Sequence, residues 1–227
     1  MKILAIVPAR GGSKRLKNKN IKNFFGKSIL KRTHDIIKNS RLFDEIILTS
    51  DSNKIKNLGK KIGFDVILNR SKKLANNKAT TIAVIKDAIS KHNNEEFKYV
   101  CCIYPCNPLL NSGDLKKTLN KIKKIKNKFI FPICEYPHPL ERAFHIVGKK
   151  KYVSFVNKNN ANKNTQTFKK TYHDAGQFYW GDRTTWLKSK SIHNNSIGYE
   201  IPKYRVADVD DYQDWIKATI IFKGLKK

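Results

Sequence analysis

The chain has 227 residues, with 47 Lys or Arg against 18 Asp or Glu, and its formal net charge is +29. This length suits one large domain over residues 1–227 with a sizeable core, and the absence of a long apolar run excludes a membrane span and predicts a soluble, cytoplasmic protein. The positive charge is typical of proteins that bind nucleic acid or an acidic membrane surface. Because the basic residues recur along the whole chain without an aromatic ladder, we predict no nucleic-acid partner and no membrane partner.

The stretch over residues 3–24 joins a strand pattern to a phosphate-binding composition. An apolar run over residues 3–7 ends at Pro8 and predicts a buried strand. In the loop that follows, Gly11 and Gly12 let backbone N–H groups approach an anion. The basic side chains of this loop are Arg10, Lys14, Arg15 and Lys19. We predict a phosphate site here, although no G-x-G-x-x-G or complete Walker motif is present; a basic surface loop is the alternative.

Beyond this loop, strand and helix patterns alternate. Helical spacing covers residues 29–37, 54–61, 80–92 and 114–124, and apolar runs typical of strands cover 45–48, 65–68 and 99–104. The alternation predicts an α/β fold with a Rossmann-like, mainly parallel sheet flanked by helices. Ligands of such sheets bind at the carboxyl ends of strands, where Asp51, Arg70 and the loop after Tyr104 are expected. For Asp51 the alternative is an N-cap of the next helix.

The middle of the chain departs from this alternation. Residues 130–144 contain three prolines, and a hairpin pattern that turns at Gly148 follows them, which predicts an excursion from the sheet. The polar run that begins at Asn157 has few apolar residues and predicts a mobile loop.

Residues 172–181, YHDAGQFYWG, form an aromatic segment with a glycine and a glutamine at its centre. Such a segment suits a packed wall that presents a few polar groups to a ligand. A core strand is the alternative, and we accept it for Phe178 and Trp180.

Two carboxylates, Asp208 and Asp210, precede an amphipathic C-terminal helix. At positions i and i+2 of an extended segment they point the same way and can share a hard cation. The alternative is a capping box between Asp210 and Gln213. We favour the metal site.

The four cysteines include no C-x-x-C pair and no histidines at ligand spacing, so a zinc site is not expected. Cys101 and Cys102 are adjacent in a predicted strand and point to opposite faces, so they do not pair with each other. Reduced core thiols fit a cytosolic protein.

The string PARGGSKRLKNKNI over residues 8–21 resembles the signature P-A-R-G-G-S-K-R-[LI]-x-x-K-N-I of the CMP-sugar synthetases, the cytidylyltransferases that activate sialic acid and its relatives. The segment from Arg70 resembles the family's R-P-x-x-L-A-x-D-x-x-T, with Ser71 and Asn77 as departures, and RVADVDDYQDW resembles R-V-x-D-I-D-x-x-x-D-W. The resemblance implies a nucleotide-diphospho-sugar transferase type of fold, CTP as co-substrate and Mg²⁺ as cofactor.

The resemblance also implies site residues. Implied nucleotide contacts are Ala9, Arg10, Gly11, Gly12, Ser13, Lys14, Lys19, Asn20, Arg70 and Thr80. Implied catalytic residues are Arg10, Lys14, Lys19, Asp208 and Asp210, the two aspartates being the Mg²⁺ ligands.

The sugar is addressed by two further segments. YHDAGQFYWG is similar to the signature of the pseudaminic acid cytidylyltransferases, and Tyr104 stands where sialic acid enzymes have Gln. This resemblance implies transfer of CMP from CTP to the anomeric hydroxyl of a nine-carbon 2-keto sugar acid, pseudaminic acid, with release of pyrophosphate. Implied sugar contacts are Tyr104, Arg142, Gly176, Gln177, Phe178 and Tyr179. An arm around residues 134–160 is expected to form a homodimer.

Several alternatives stay open at this point. Within the family they are a CMP-N-acetylneuraminate or a CMP-legionaminate synthase. Outside it they are a basic nucleic-acid-binding protein, whose affinity would fall steeply with salt, and a catalytically inactive structural dimer.

Overall fold

A computed structural model of the chain describes residues 1–13, 15–76 and 78–225. Its first half contains β1 (Lys2–Pro8), β2 (Asn23–Phe24), β3 (Lys27–Ser28), α1 (Ile29–Ser40), β4 (Glu45–Ser50), α2 (Asn53–Ile62), β5 (Val66–Asn69), α3 (Thr81–His92) and β6 (Phe97–Ile103). Its second half contains α4 (Ser112–Ile122), β7 (Phe129–Glu135), β8 (Phe144–Val147), β9 (Tyr152–Phe155), β10 (Tyr172–Asp174), β11 (Phe178–Asp182), α5 (Arg183–Lys188), β12 (Ser196–Glu200) and α6 (Tyr212–Gly224).

Eight strands form one mixed sheet in the order β10-β7-β11-β6-β1-β4-β5, with β12 paired to β7. The β1, β4, β5 and β6 strands are parallel, as are β7 and β12. The β11 strand runs antiparallel between β6 and β7, and β10 runs antiparallel to β7. The predicted α/β fold with a mainly parallel sheet is confirmed. The carboxyl ends of β1, β4, β5 and β6 therefore share one edge, and β11 begins at that same edge because it runs in the opposite direction.

Helices cover both faces of the sheet. On one face, α1, α2 and α4 bury apolar side chains such as Leu30, Ile55 and Leu115. On the other face, α3 and α5 bury Ile85 and Trp186. Because each helix is apolar along one stripe only, this three-layer arrangement buries the apolar stripe of every one of these helices against the sheet.

The predicted strands and helices of the first half are confirmed, with boundaries that differ by a few residues. The α1 helix begins after Ser28, whose side chain accepts a hydrogen bond from the Lys31 amide at 3.2 Å. The α2 helix ends at Ile62 and is capped by Gly63, whose φ of 97° is accessible to glycine without strain. These caps, rather than the apolar periodicity, set the ends of the helices.

Cys101 and Cys102 lie on opposite faces of β6, as predicted. All four cysteines are free and buried. Phe178 and Trp180 are fully buried on β11, which confirms their assignment to the core. No helix in the described part of the chain is long and apolar enough to cross a membrane.

The C-terminal helix α6 packs on the loop region that follows β1. Trp215 of α6 meets Phe24 edge to face, with ring centroids 5.2 Å apart. Leu16 of the loop and Val209 belong to the same buried cluster. As a result, α6 supports both the basic loop and the segment that carries Asp208.

The predicted hairpin is present as β8 and β9, which pair with each other outside the main sheet and turn at Gly148 with φ of 72°. After it, the polar run contains two short 3₁₀ turns, Lys158–Asn160 and Thr165–Thr167. Asn160 is only 6% exposed, so the run that was predicted to be a mobile loop is packed at that residue. Its backbone is held because Arg142 donates to the carbonyls of Ala161 and Lys163.

Candidate active site

A cleft of about 330 Å³ opens at the sheet edge where β1, β4, β5 and β6 end. Its walls come from the β1 loop, the segment before α3, the loop after β6 and the segment before α6. The lining residues are Pro8, Arg10, Arg15, Lys19, Asn20, Arg70, Leu74, Asn76, Ala79, Thr81, Val84, Tyr104, Pro105, Cys106, Asp208 and Asp210. The structure thus brings together the basic loop, the buried arginine and the aspartate pair that the sequence predicted.

The β1 loop is fixed by contacts with the loop that follows β4. The Gly11 amide donates to Oδ1 of Asp51 at 2.9 Å, and a Cβ on Gly11 would lie 2.7 Å from the Cβ of Ser52. No side chain fits there without movement of the backbone. A Cβ on Gly12, in contrast, would meet no atom within 4 Å. Of the two glycines, Gly11 therefore serves the packing of the loop.

The alternative role of Asp51 as an N-cap is wrong. The N-cap of α2 is Ser52, whose side chain accepts the Ile55 amide at 3.5 Å. The Asp51 carboxylate instead accepts a hydrogen bond from the Gly11 amide and so helps to position the β1 loop. Ala9 of the same loop is fully buried, and its amide donates to the Thr49 carbonyl at 3.0 Å.

Asn20 closes the loop on itself. Its side-chain nitrogen donates to the Arg10 carbonyl at 2.8 Å, and its oxygen lies 3.0 Å from the thiol of Cys106. Asn20 is only 4% exposed. The side chain therefore holds the loop in shape while one surface of it lines the cleft.

Lys19 reaches across the cleft to the aspartate segment. Its ammonium lies 2.8 Å from Oδ1 of Asp210 and 3.0 Å from the Val209 carbonyl. Burial acts to lower the pKa of Lys19, but Cys106 and the hydrogen-bonded Asp210 outweigh it, so the pKa is raised. Lys19 is therefore a fixed positive charge at neutral pH.

Arg15 also forms an ion pair with Asp210, from the exposed side of the cleft. Burial acts to raise the pKa of Asp210, but the hydrogen bond and charge of Lys19 and the charge of Arg15 lower it overall. Asp210 is thus ionised and held by two cations of the basic loop. The sequence analysis counted Arg15 among the cations of the predicted phosphate site, whereas the family resemblance did not include it among the implied contacts.

Asp208 differs from its neighbour. No hydrogen bond or ion pair from the described part of the chain reaches its carboxylate. It is exposed at the cleft mouth, yet the surrounding protein displaces water from it, and this loss of solvent together with the charge of Asp210 raises its pKa to about 6. The unpartnered carboxylate of Asp208, two residues from the ionised Asp210, fits a hard divalent cation, whose charge would relieve the repulsion between the two groups.

The described residues hold no group of three or more His, Cys, Asp or Glu side chains placed to bind a metal ion. Asp208 and Asp210 alone leave most of an oxygen coordination shell unfilled, so a cation here needs further oxygens from water or from a bound phosphate.

The capping box at α6 lies one residue later than the sequence alternative placed it. Asp211 accepts from the Asp214 amide at 3.0 Å, and the side chain of Asp214 accepts from the Asp211 amide at 3.1 Å. The pairing of Asp210 with Gln213 was therefore wrong. Because Asp211 caps the helix, Asp210 is left to face the cleft.

Arg70 is buried, at 6% exposure, beside the carboxyl end of β4. One of its Nη atoms donates to the Thr49 carbonyl at 2.8 Å, whereas its buried Nε has no hydrogen-bond partner among the described residues. Burial lowers the pKa of Arg70, but the guanidinium group stays charged because its pKa is normally above 12. A buried donor without a partner next to a cleft suits a ligand acceptor.

Tyr104, at the carboxyl end of β6, also lines the cleft. Its hydroxyl is hydrogen-bonded to that of Thr81 at the start of α3, and burial raises its pKa, so it is a neutral phenol. Thr80 was predicted as a nucleotide contact; it is the N-cap of α3, its hydroxyl accepts the Ala83 amide at 3.2 Å, and it does not line the cleft. The adjacent Thr81 does line it, and only the cap geometry separates the two threonines.

Four other predicted nucleotide contacts, Ala9, Gly11, Gly12 and Ser13, are not among the lining residues. Lys14 lies outside the described residues. The buried hydroxyl of Ser13 has no partner in the described part of the chain, and Ser13 and Gly12 belong to the loop without lining the cleft.

The predicted sugar contacts other than Tyr104 do not line the cleft. Phe178 is fully buried in the core, and the Tyr179 hydroxyl donates to Asp174 at 2.8 Å. Gln177 is 1% exposed and donates to the Arg205 carbonyl at 2.8 Å. Gly176 lies behind the Asp208 carboxylate.

Arg142, the remaining predicted sugar contact, lies in the excursion that carries β8 and β9. Its guanidinium group packs over Phe155 and Phe168, 5.9 and 5.7 Å from the ring centroids. Within one chain the structure does not bring Arg142 to the cleft.

Additional lining residues escaped the sequence analysis: Leu74, Asn76, Ala79, Thr81, Val84 and Cys106. They are apolar or small polar residues without a chemical signature. Only the position of their segments, directly after the ends of β5 and β6, could have pointed to them.

Comparison with known proteins agrees with this geometry. The model of a family described as Cytidylyltransferase matches residues 4–205. A pseudaminic acid cytidylyltransferase of Campylobacter jejuni subsp. jejuni is 36% identical over 226 residues, covering 98% of this chain and 97% of the relative. An N-acylneuraminate cytidylyltransferase of Escherichia coli is 27% identical, covering 97% of this chain and 52% of the relative.

Among solved structures, a CMP:2-keto-3-deoxy-manno-octonic acid synthetase complexed with CTP superposes with a TM-score of 0.73 at 12% identity, covering 99% of this chain and 100% of the other. A 4-diphosphocytidyl-2C-methyl-D-erythritol synthase superposes with a TM-score of 0.66 at 9% identity, covering 97% and 98%. At such identities the likeness concerns the fold.

The fold and the charged cleft define a nucleotidyltransferase. The chain belongs to the cytidylyltransferase family, as the resemblance of its N-terminal loop predicted.

Proposed function

We propose that this protein transfers CMP from CTP to the anomeric hydroxyl of pseudaminic acid, a nine-carbon 2-keto sugar acid, and releases pyrophosphate. The observation that carries the proposal is the pairing of two cations of the basic β1 loop, Arg15 and Lys19, with Asp210 of the α6 segment across one cleft. The choice of sugar is supported by the relative from Campylobacter jejuni, whose similarity extends over nearly the full length of both chains.

The chain's own residues account for binding the triphosphate. Lys19 and Arg15 are positioned by Asp210 and face the cleft, where phosphate oxygens can replace the carboxylate as their partner. Arg10 lines the same wall, and its carbonyl is fixed by Asn20. These cations stabilise the negative charge that develops on the leaving pyrophosphate, which is the main task in a transfer that needs no covalent intermediate.

We further propose a divalent cation, Mg²⁺ in the cell, as the cofactor. Asp208 and Asp210 would hold it, and its chemistry would be to neutralise charge on the phosphates and to orient them. The fit rests on the unpartnered Asp208 carboxylate and its raised pKa. A solved neighbour at 14% identity is described as a complex with manganese, which agrees with a divalent metal on this fold.

The base of the nucleotide belongs next to Arg70. Its buried Nε without a partner is a donor that the carbonyl oxygen of cytosine could satisfy. The neutral phenol of Tyr104, which also lines the cleft and is hydrogen-bonded to Thr81, gives the sugar pocket a hydroxyl in place of the amide that sialic acid enzymes carry.

The test is pyrophosphate release by the purified protein with each of the four nucleoside triphosphates and with pseudaminic, legionaminic, N-acetylneuraminic and 3-deoxy-octulosonic acids. We expect release only with CTP and a divalent cation, and fastest with pseudaminic acid. Release with no combination, or with ATP as well as with CTP, would contradict the proposal.

We also propose that the arm forms a homodimer. On the hairpin of β8 and β9, Ile146 and Val153 face each other across the two strands and are 72% and 68% exposed. Phe144, two residues from Ile146 on the same face of β8 and 49% exposed, extends the apolar surface. Exposed apolar patches of this kind are typical of interaction sites.

The dimer is tested by light scattering on Ile146→Asp. We expect it to be monomeric, while His145→Asp, which places the same charge on the opposite face of the same strand, stays dimeric. A monomeric unmodified protein, or an equal effect of the two variants, would contradict the assignment of this face.

A further inference from the structure

The turn between β10 and β11 joins two walls of the cleft without lining it. The carbonyl of Gln177 accepts the Tyr104 amide at 2.9 Å, and its side-chain nitrogen donates to the Arg205 carbonyl at 2.8 Å. With 1% exposure, Gln177 has no route to a ligand in the cleft. Gln177 therefore links the end of β6, through its backbone carbonyl, to the segment that leads to Asp208, through its side-chain amide.

Gly176 is the point where this turn meets the metal-site carboxylate. Its φ is 63°, and a Cβ there would lie 3.0 Å from Oδ2 of Asp208. The Gly176 carbonyl accepts from the side chain of Asn107 at 2.7 Å, and its amide donates to Asp174 at 2.8 Å. The turn is thus held from both sides and forms a rigid backing for Asp208.

The segment that carries Asp208 is anchored at its two ends. At the first end, the Arg205 guanidinium lies 2.6 Å from Oδ2 of the buried Asp114, which also accepts from the Tyr199 hydroxyl at 3.0 Å. At the other end, the Val209 amide donates to the Cys106 carbonyl at 3.2 Å. The hydrogen bond from the Gln177 side chain to the Arg205 carbonyl connects this first end to the turn between β10 and β11.

We propose that Gln177 is a positioning residue for Asp208. By fixing the Arg205 carbonyl it sets where the Asp208 carboxylate stands, and it therefore acts on binding of the divalent cation and not on recognition of the sugar. The inference rests on the proposed metal-dependent function. A site that must hold a ligand within about 0.5 Å depends on such supporting contacts.

The test compares the unmodified protein with Gln177→Met, which keeps the length of the side chain and removes the hydrogen bond. Mn²⁺ bound to the protein with CTP and without sugar is measured by water-proton relaxation, which separates protein-held Mn²⁺ from Mn²⁺ on free CTP. We expect the affinity for Mn²⁺ and kcat each to fall about tenfold to a hundredfold, as a displacement of about 1 Å would cause. The preference among sugars should not change.

Thr185→Ala is the matched control. Thr185 follows β11 at the opposite end of the sheet, is buried, and hydrogen-bonds through its hydroxyl to Asp182 at 2.9 Å. It should lose stability without any change in Mn²⁺ affinity. If Gln177→Met fails to fold, Gln177→Asn, which keeps a buried amide but shortens its reach to the Arg205 carbonyl, should show the same loss of Mn²⁺ affinity.

The outcomes separate the inference from the proposed function. Unchanged Mn²⁺ affinity in folded Gln177→Met overturns the inference, and so does an altered sugar preference with unchanged Mn²⁺ affinity. Absence of pyrophosphate release in the unmodified protein would instead contradict the proposed function, while the Mn²⁺ measurement still decides the role of Gln177.

Discussion

Replacement of Lys19 by methionine removes the best-positioned cation of the β1 loop and keeps most of its side-chain volume. The Lys19 side chain is 18% exposed, and its ammonium lies 2.8 Å from Asp210 Oδ1 and 3.0 Å from the Val209 carbonyl. It is therefore preorganised at the point where the leaving pyrophosphate gains charge. Loss of one such group costs about 10²- to 10³-fold in kcat, or roughly 2.7 to 4 kcal/mol of transition-state stabilisation.

The effect on folding should be smaller. Asp210 keeps its ion pair with Arg15 in the variant, so the carboxylate is not left alone. We expect the free energy of unfolding to fall by about 1 to 3 kcal/mol, because Lys19→Met removes two hydrogen bonds of a charged group that is partly exposed. A large loss of activity with a small loss of stability is the signature of a residue that acts on the reaction.

The assay is steady-state pyrophosphate release with CTP and pseudaminic acid, together with thermal unfolding of each variant. The control is Lys17→Met, because Lys17 is an exposed lysine of the same loop. The control should stay within about twofold of the unmodified kcat/KM. A folded Lys19→Met enzyme within about threefold of the unmodified kcat/KM would refute the assignment of Lys19 to the transferring phosphates.

Asp208→Asn and Asp210→Asn should each lower metal-dependent turnover by about 10²-fold or more, because each removes a ligand of the cation. Asp208→Asn should raise the stability because it relieves repulsion between two carboxylates, whereas Asp210→Asn should lower it because it breaks the ion pairs with the basic loop. Chemical denaturation decides this, and equal stability changes would contradict the electrostatic account. Gly11→Ala should lose about 1–3 kcal/mol of stability because its Cβ meets Ser52, while Gly12→Ala should keep its Tm; equal melting temperatures would mean that the loop yields freely. Burial lowers the pKa of His34 in the folded protein, whereas in the unfolded chain the pKa is about 6.5. Below that pH the unfolded chain therefore binds a proton more readily than the folded protein does. The contribution of neutral His34 to stability is thus complete above that pH and is lost as the pH falls. The urea midpoint should decrease from pH 7.5 to pH 5 by a smaller amount in His34→Gln than in the unmodified protein. An identical decrease in the two proteins would refute this role of His34.

The order of elements and the location of the site were predictable from the sequence because both follow from local patterns. An apolar run interrupted by Pro8 and followed by glycines and cations specifies a strand and an anion-binding loop without reference to the rest of the chain. Once strands and helices alternate, the common edge of the parallel strands brings Arg10, Arg70 and Tyr104 together.

What the sequence did not show is how side chains divide tasks within that edge. Asp51 and Ser52 are both good N-caps, and only the close approach of Gly11 explains why Ser52 takes the cap. At α6, Asp210 and Asp211 are equally suited to capping, and the pairs with Lys19 and Arg15 decide between them.

The aromatic segment around Gln177 shows a second limit. Its resemblance indicates the family correctly, but the same pattern is compatible with a ligand wall and with a buried support. The direction of β11, antiparallel to β6, buries Phe178 and turns the Gln177 amide toward Arg205. Because that direction depends on contacts distant in sequence, it could not be predicted from spacing within the segment.

The central claim is that this cytidylyltransferase activates pseudaminic acid in preference to other nine-carbon sugar acids. It is tested most directly by competition: pseudaminic and N-acetylneuraminic acids at equal concentration with limiting CTP and Mg²⁺, and the two CMP-sugars quantified by mass spectrometry. The product ratio equals the ratio of kcat/KM values. A pocket that hydrogen-bonds a particular group of its substrate discriminates by about 10⁴ or more, so we predict almost exclusive formation of CMP-pseudaminic acid. Comparable amounts of the two products, or an excess of CMP-N-acetylneuraminic acid, would contradict the claim.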